Sequence, residues 1–373
     1  MENLNYKQEN DCVGIITYHR AINYGAILQV YALQQKIKVL GKECHVIDYI
    51  NDHIENQYRP KSIKEVRSFK QLGAYFLIYR NRNARYYKFL DFLNNFIELS
   101  VECRNSSDIA AIEARYTNFI TGSDQVWNPK LNGEDMTYLL DFTKNNSKKN
   151  AYAASFGTES LPEKYVDKFS ELLSGFNKIL VREKQAVNIV NGITNKEAKV
   201  VLDPTLLLSQ EEWNQIIPQN KRSRKYIFVY AFSGTKNIEK LAMKISEKYG
   251  YEILWLTYGY EQSSKIKYIK NAGPLEFLTL IKNAEFVITN SFHGTAFSIN
   301  FNKQFYIEYL SDKYEVNSRL ENIVDLFELD QNILNDKSVE NPLNQIDYKR
   351  INKKLDLNRK ESIALLYELI QKR

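Results

Sequence analysis

The side chains best suited to chemistry gather where a strand-like run meets a helical one. In ITNSFHGTAFSINFNKQF (288–305), His293 follows Asn290-Ser291, which supply turn and cap chemistry. Gly294 comes next, and its missing side chain lets a backbone or a ligand approach closely. Residues 284–289 read as a buried strand, and Phe297 and Phe301 recur at helical spacing beyond it. The imidazole is therefore expected at the carboxyl end of a strand, beside a helix N-terminus that attracts anions. Open α/β sheets bind ligands there. His293 would suit an acid, a base or a phosphate partner; the plainer alternative is a histidine that only ties down the turn.

Three other loops share this setting. After a first strand, residues 17–26 (TYHRAINYGA) turn into a helix through Asn23-Tyr24-Gly25, a place for a phosphate, a carboxylate or a sugar hydroxyl. The loop is neither GxGxxG nor a Walker loop, so neither a dinucleotide nor ATP is indicated. Residues 122–129 (GSDQVWNP) concentrate Ser123, Asp124, Gln125 and Trp127. Carboxylates and amides for hydroxyls, with an aromatic face for the C–H side, are what carbohydrate sites combine. Asp124 could act as base toward a sugar hydroxyl. The alternative is an Asx-type turn with Trp127 as a core anchor. Arg182, ahead of a helix, can fork onto a carboxylate or phosphate unless it only pairs with Glu183. Arg319 is a second anion candidate.

The elements that must position these loops alternate strand and helix, the pattern of parallel α/β architecture. Strands are expected at 13–18, 44–49, 118–121, 150–155, 178–181 and 200–202, with helices at 26–40, 163–176 and 183–191. A second set has strands at 226–232, 252–256, 284–289 and 304–309, with helices at 237–249 and 274–283. The expected organisation is an N-terminal Rossmann-like domain (1–205), a C-terminal one (222–340) and a final helix (346–373). Two such halves facing a cleft would place the loops above at strand ends. Residues 54–98 form a basic, aromatic arm, read as a helix packed on the first domain or lying in a membrane interface.

The chain has 373 residues, 44% hydrophobic and 26% charged, enough for two cores. Its net charge of +6 suits an anionic partner, such as a phosphorylated metabolite. No Lys/Arg stripe interleaves with a nucleic-acid module. Cys12, Cys44 and Cys103 are widely spaced and suggest neither a disulfide framework nor a zinc site. The polar N-terminus lacks the apolar core of a signal peptide, and no apolar run spans a bilayer. A cytoplasmic protein is expected, peripheral at the inner membrane face if the arm touches lipid.

Taken in order, TYHRAINYGAILQVYALQ (17–34), ITGSDQVWNP (120–129), AYAASFG (151–157), VREKQA (181–186), LDPTLLLS (202–209) and TNSFHGTAFSINF (289–301) resemble the polysaccharide pyruvyl transferase family. The resemblance implies two Rossmann-like domains, as in the glycosyltransferase B fold. It also implies transfer of pyruvyl from phosphoenolpyruvate to two hydroxyls of a sugar, giving a cyclic ketal, with no cofactor and no metal. The acceptors implied are sugars of cell-surface polysaccharides, often lipid-linked. On this resemblance His293 and Asp124 are catalytic. Arg182, Ser291, Gly294, Thr295 and Arg319 hold the donor, and Asn23, Tyr24, Asp124, Gln125 and Trp127 hold the acceptor. Some family members carry arginine where this chain has Ser291, so the carboxylate anchor is open among Ser291, the helix N-terminus, Arg182 and Arg319. The competing readings are a nucleotide-sugar glycosyltransferase of the same fold and a non-catalytic carbohydrate-binding protein of an assembly complex.

Overall fold

The computed structural model describes residues 11–60, 62–63, 79–219, 224–232, 236–259, 263–310, 317–335 and 345–371. The chain divides into two compact units: residues 1–57, 93–207 and 358–373 in the first, residues 58–92 and 208–357 in the second.

The first unit is built on a parallel sheet in the order β3-β2-β1-β4-β5-β6-β7. These strands are β1 Cys12–Ile16, β2 Glu43–Tyr49, β3 Leu99–Cys103, β4 Asn118–Thr121, β5 Lys149–Ala154, β6 Lys178–Val181 and β7 Ala198–Val200. Strands such as CVGII are buried from end to end, because helices cover both faces of an all-parallel sheet. Sequence order runs outward from β1 to β3 on one side and from β4 to β7 on the other. The crevice at the carboxyl ends of β1 and β4 is thus a topological switch point. The helix Tyr24–Val39 begins at Asn23, whose side chain accepts from the Ala26 N–H at 3.2 Å. Gln34 of that helix anchors the approach to β3, donating to Glu98 O (2.9 Å) and accepting from Glu98 N (3.0 Å).

The second unit repeats the plan with five parallel strands in the order β10-β9-β8-β11-β12. They are β8 Tyr226–Tyr230, β9 Glu252–Leu256, β10 Ile266–Ile269, β11 Phe286–Thr289 and β12 Gln304–Ile307. Its switch point lies between β8 and β11. On one face Ile238, Leu241 and Ile245 of the helix Lys236–Tyr249 pack with Ile227, Val229, Trp255 and Ile288. Phe228, Phe277 and Phe297 meet edge to face on the other.

The α/β class and the two Rossmann-like sheets are as expected, with differences in detail. The strand expected at 200–202 lies at Ala198–Val200. Between β2 and β4 lie the helix Asp52–Tyr58, the helix Arg80–Phe96 and edge strand β3, for which no strand was expected. Of the 54–98 arm, residues 61 and 64–78 lie outside the described residues. Residues 58–92 group with the second unit instead of the first, and the final helix Tyr348–Ile370 is shared between units at residue 358. Phe89, Phe92 and Leu93 of the arm are buried in protein, whereas Ile63 and Tyr87 are exposed. Among the described residues no helix is long and apolar enough to cross a membrane.

Candidate functional site

At the carboxyl edge of the first sheet, four strand ends converge on one guanidinium. Gly122, which follows β4, has φ +112, and a Cβ there would meet Tyr152 O at 2.3 Å, so no larger residue fits. This turn delivers Ser123 and Asp124, and Asp124 itself sits at φ +75. Arg182, directly after β6, is buried. Its Nη1 donates to Asp203 Oδ2 at 3.0 Å, and its Nη2 lies 3.4 Å from Asp124 Oδ1. Glu183 Oε2 is 3.7 Å from Nε, and Glu183 Oε1 accepts from the Ser155 hydroxyl at 2.7 Å. Asp203 is held in turn by the Thr205 N–H and hydroxyl and by the Ser123 hydroxyl (3.0, 2.8 and 3.1 Å). Burial alone would lower the Arg182 pKa, but the neighbouring Asp203, Asp124 and Glu183 carboxylates outweigh it and the net shift is upward.

A donor anion expected at Arg182 would meet a guanidinium already bonded to Asp203 and in reach of Asp124, both of its own unit. Arg182 thereby holds one oxygen of Asp124 at the sheet edge.

The other expected acceptor groups divide. Trp127 is fully buried, with its indole N–H on Tyr138 O (3.2 Å) and its ring against Phe156 and Phe176, so it offers no face to a sugar. Tyr24 is likewise fully buried, and the Asn23 side chain is the helix cap already described. Gln125 keeps partial exposure, packed against Gly157 with its amide oxygen accepting from Asn128. His19 and Arg20, in the same loop as Asn23, both turn onto Asp48. His19 Nε2 lies 3.0 Å from Oδ1, and Arg20 donates to both oxygens at 2.8 and 2.9 Å.

In the second unit the loop after β11 is knit to both neighbouring strands. The Thr289 hydroxyl donates to Tyr230 O at 2.5 Å and accepts from the Ser291 N–H at 3.0 Å. Asn290 Oδ1 accepts from the Phe232 N–H at 2.9 Å, and Glu308 N donates to Thr289 O at 3.0 Å. The helix Phe292–Asn300 starts at Ser291, which caps it through the Gly294 N–H (3.4 Å). A Cβ at Gly294 would meet Thr289 Oγ1 at 2.4 Å, so the glycine is what lets the helix lie this close to the strand. His293 is the second residue of this helix, 7% exposed, with Phe292 edge-on at 5.1 Å. The helix is buried along its whole length.

His293 thus follows the strand Phe286–Thr289 at the start of a helix, the position expected for it. Ser291 spends its hydroxyl as the cap, and Thr295 is fully buried with its hydroxyl donating to Ser291 O at 3.1 Å. Arg319 opens the helix Ser318–Phe327 and is partly buried. Glu308 is bonded by Asn237 and the Ile238 N–H at the start of the helix Lys236–Tyr249, and burial raises its pKa. Among the described residues no cluster of His, Cys, Asp or Glu is arranged to hold a metal ion. Asp203 and Ser155 have no site role in the sequence reading, although both lie within its motifs LDPTLLLS (202–209) and AYAASFG (151–157).

The sequence model of the polysaccharide pyruvyl transferase family matches residues 23–311. No curated protein matches the chain. Among solved structures, Methanocaldococcus jannaschii UDP-GlcNAc 2-epimerase in complex with UDP-GlcNAc and UDP is similar at 14% identity. Its TM-score is 0.46, covering 95% of this chain and 98% of that one. Arabidopsis thaliana UGT89C1 complexed with quercetin shares 11% identity at a TM-score of 0.48, over 97% of this chain and 100% of that one. Spinosyn forosaminyltransferase SpnP shares 10% at 0.48, over 96% and 99%.

Proposed function

Because the chain belongs to the polysaccharide pyruvyl transferase family, we propose that it moves a pyruvyl group from phosphoenolpyruvate to two hydroxyls of one sugar in a cell-surface polysaccharide precursor. On this reading the acceptor is lipid-linked and the reaction cytoplasmic. The observation within the structure that supports it is the seat of His293, an imidazole held at the N-terminus of a buried helix beside the second sheet's switch point.

The chemistry requires a proton before anything else. Phosphoenolpyruvate becomes electrophilic at C2 only when C3 gains a proton and turns from methylene to methyl. His293 supplies that proton or binds the phosphate that leaves. The first sugar hydroxyl adds to C2 and loses its proton to a base, the C2–O bond to phosphate breaks, and the second hydroxyl closes the ketal. Of the two hydroxyl protons released, one balances the proton taken up at C3 and the other leaves with phosphate. Asp124, oriented by Arg182, is the base we assign to the hydroxyls. We assign Arg319 and the N-terminus of the helix Phe292–Asn300 to the donor's negative charge.

The test is incubation of the purified chain with phosphoenolpyruvate and a saccharide panel. Phosphate release that depends on the saccharide, with the mass gain of a ketal-linked pyruvyl group on it, is the expected result. Sugar transfer from a nucleotide sugar, with phosphoenolpyruvate untouched, would sink the proposal in favour of a glycosyltransferase.

A further inference from the structure

If the protein handles sugars, an aromatic face should be open to them, and those expected in the first unit, Trp127 and Tyr24, are buried. Phe232 and Tyr258 of the second unit are not: they are 48% and 39% exposed. Phe232 stands two residues beyond β8 and Tyr258 two residues beyond β9, so both lie at the carboxyl edge of the sheet. Phe232 is at the β8–β11 switch point itself. Their ring planes are within 10° of parallel, with centroids 6.4 Å apart. We propose that Phe232 and Tyr258 form a platform on which the apolar face of an acceptor sugar ring stacks, an assignment that rests on the reading of the function above.

The rings are held in place without a ligand. The Tyr258 hydroxyl is hydrogen-bonded to Tyr230, and the guanidinium of buried Arg85 lies 4.1 Å from the centre of the Tyr258 ring. Arg85 is fixed by donation to Lys270 O at 3.4 Å. The Tyr230 ring meets Phe232 at 5.3 Å, and the Phe232 N–H donates to Asn290 Oδ1, three residues before His293. Rings fixed beforehand lose little freedom on binding. A pyranose presents one face of axial C–H bonds to such a surface and keeps its hydroxyls for polar partners at the rim.

Saturation-transfer NMR on the full-length protein tests this without any donor. The panel comprises cellobiose, lactose, chitobiose and mannobiose. In wild type, one disaccharide should receive saturation at its ring C–H protons. Phe232→Ala should weaken its binding by about tenfold, while Tyr258→Phe and Phe232→Trp should keep it; unchanged melting temperatures confirm intact folds. No transfer to any panel member, or transfer unchanged in Phe232→Ala, overturns the platform. So does UDP binding that is lost in Phe232→Ala, which would make the rings a base site. Stacking of a sugar by a protein that releases no phosphate from phosphoenolpyruvate keeps the platform and removes the pyruvyl reading. Ketal formation indifferent to Phe232→Ala does the reverse.

Discussion

Arg182 Nη2 lies 3.4 Å from Asp124 Oδ1 while Nη1 of the same guanidinium donates to Asp203 Oδ2 at 3.0 Å. The arginine is thereby a strut between two carboxylates. Arg182→Ala should strand buried acids and cost about 3–5 kcal/mol, read by urea denaturation. Arg182→Lys keeps the charge but loses the fork. It should fold, lose turnover and bind phosphoenolpyruvate as wild type does. Lost donor binding in that stable variant would return Arg182 to the donor.

Asp124→Asn retains size and most hydrogen bonding but not the basic carboxylate. The expected result is a reduced kcat with phosphoenolpyruvate affinity little changed. Lost thermal stability with normal turnover would make Asp124 a turn residue.

His293→Ala should depress turnover by about 100- to 10,000-fold, the usual contribution of a positioned acid or base. Circular dichroism should be unchanged. Most of the activity surviving would leave His293 as a packing group and void the proton step assigned to it.

Trp127→Ala should act on folding and not on the acceptor. Removing a fully buried indole costs about 3–5 kcal/mol. Acceptor KM in the folded protein should match wild type; a raised KM with normal stability would put the indole back in the site.

Asp48 gives a pH signature. Burial alone would raise its pKa, but the hydrogen bonds and charges of His19 and Arg20 outweigh it and bring the pKa below the ordinary value. A depressed folded-state pKa adds stability above the unfolded value and loses it as pH falls through the folded one. The stability deficit of Asp48→Asn, about 1–3 kcal/mol near neutrality, should therefore shrink on acidification below about pH 4. A deficit that stays constant to lower pH would contradict the shift.

What was legible in the sequence was local. The strand Phe286–Thr289 and the helix after it announce themselves through an unbroken apolar run, the Ser291 cap and the Gly294 gap. The strands β3 and β10 do not, because LSVEC and IKYI are short edge segments with exposed positions, defined by their partners' hydrogen bonds more than by pattern. Arg182 shows the reach of tertiary structure: Glu183 beside it is legible as a partner, but residues 124 and 203, far away in sequence, supply two further carboxylates. Trp127 and Thr295 look functional beside polar neighbours, yet the direction of a side chain is set by what packs around it. Phe232 and Tyr258 read as ordinary strand-end aromatics until their exposure is seen.

Residues 358–370 tie the first unit together from far along the chain. Asn118 of β4 donates to Ile370 O, the Ser362 hydroxyl accepts from the Leu202 N–H, Arg359 donates to Leu206 O, and Lys178 pairs with Glu368. During synthesis the first unit therefore waits for these residues: its sheet strands leave the ribosome early, but Asn118, Lys178, Leu202 and Leu206 lack these partners until some 150 further residues have been translated. A fragment ending near residue 207 should aggregate when expressed alone, and regain solubility when a peptide of residues 358–371 is supplied in trans.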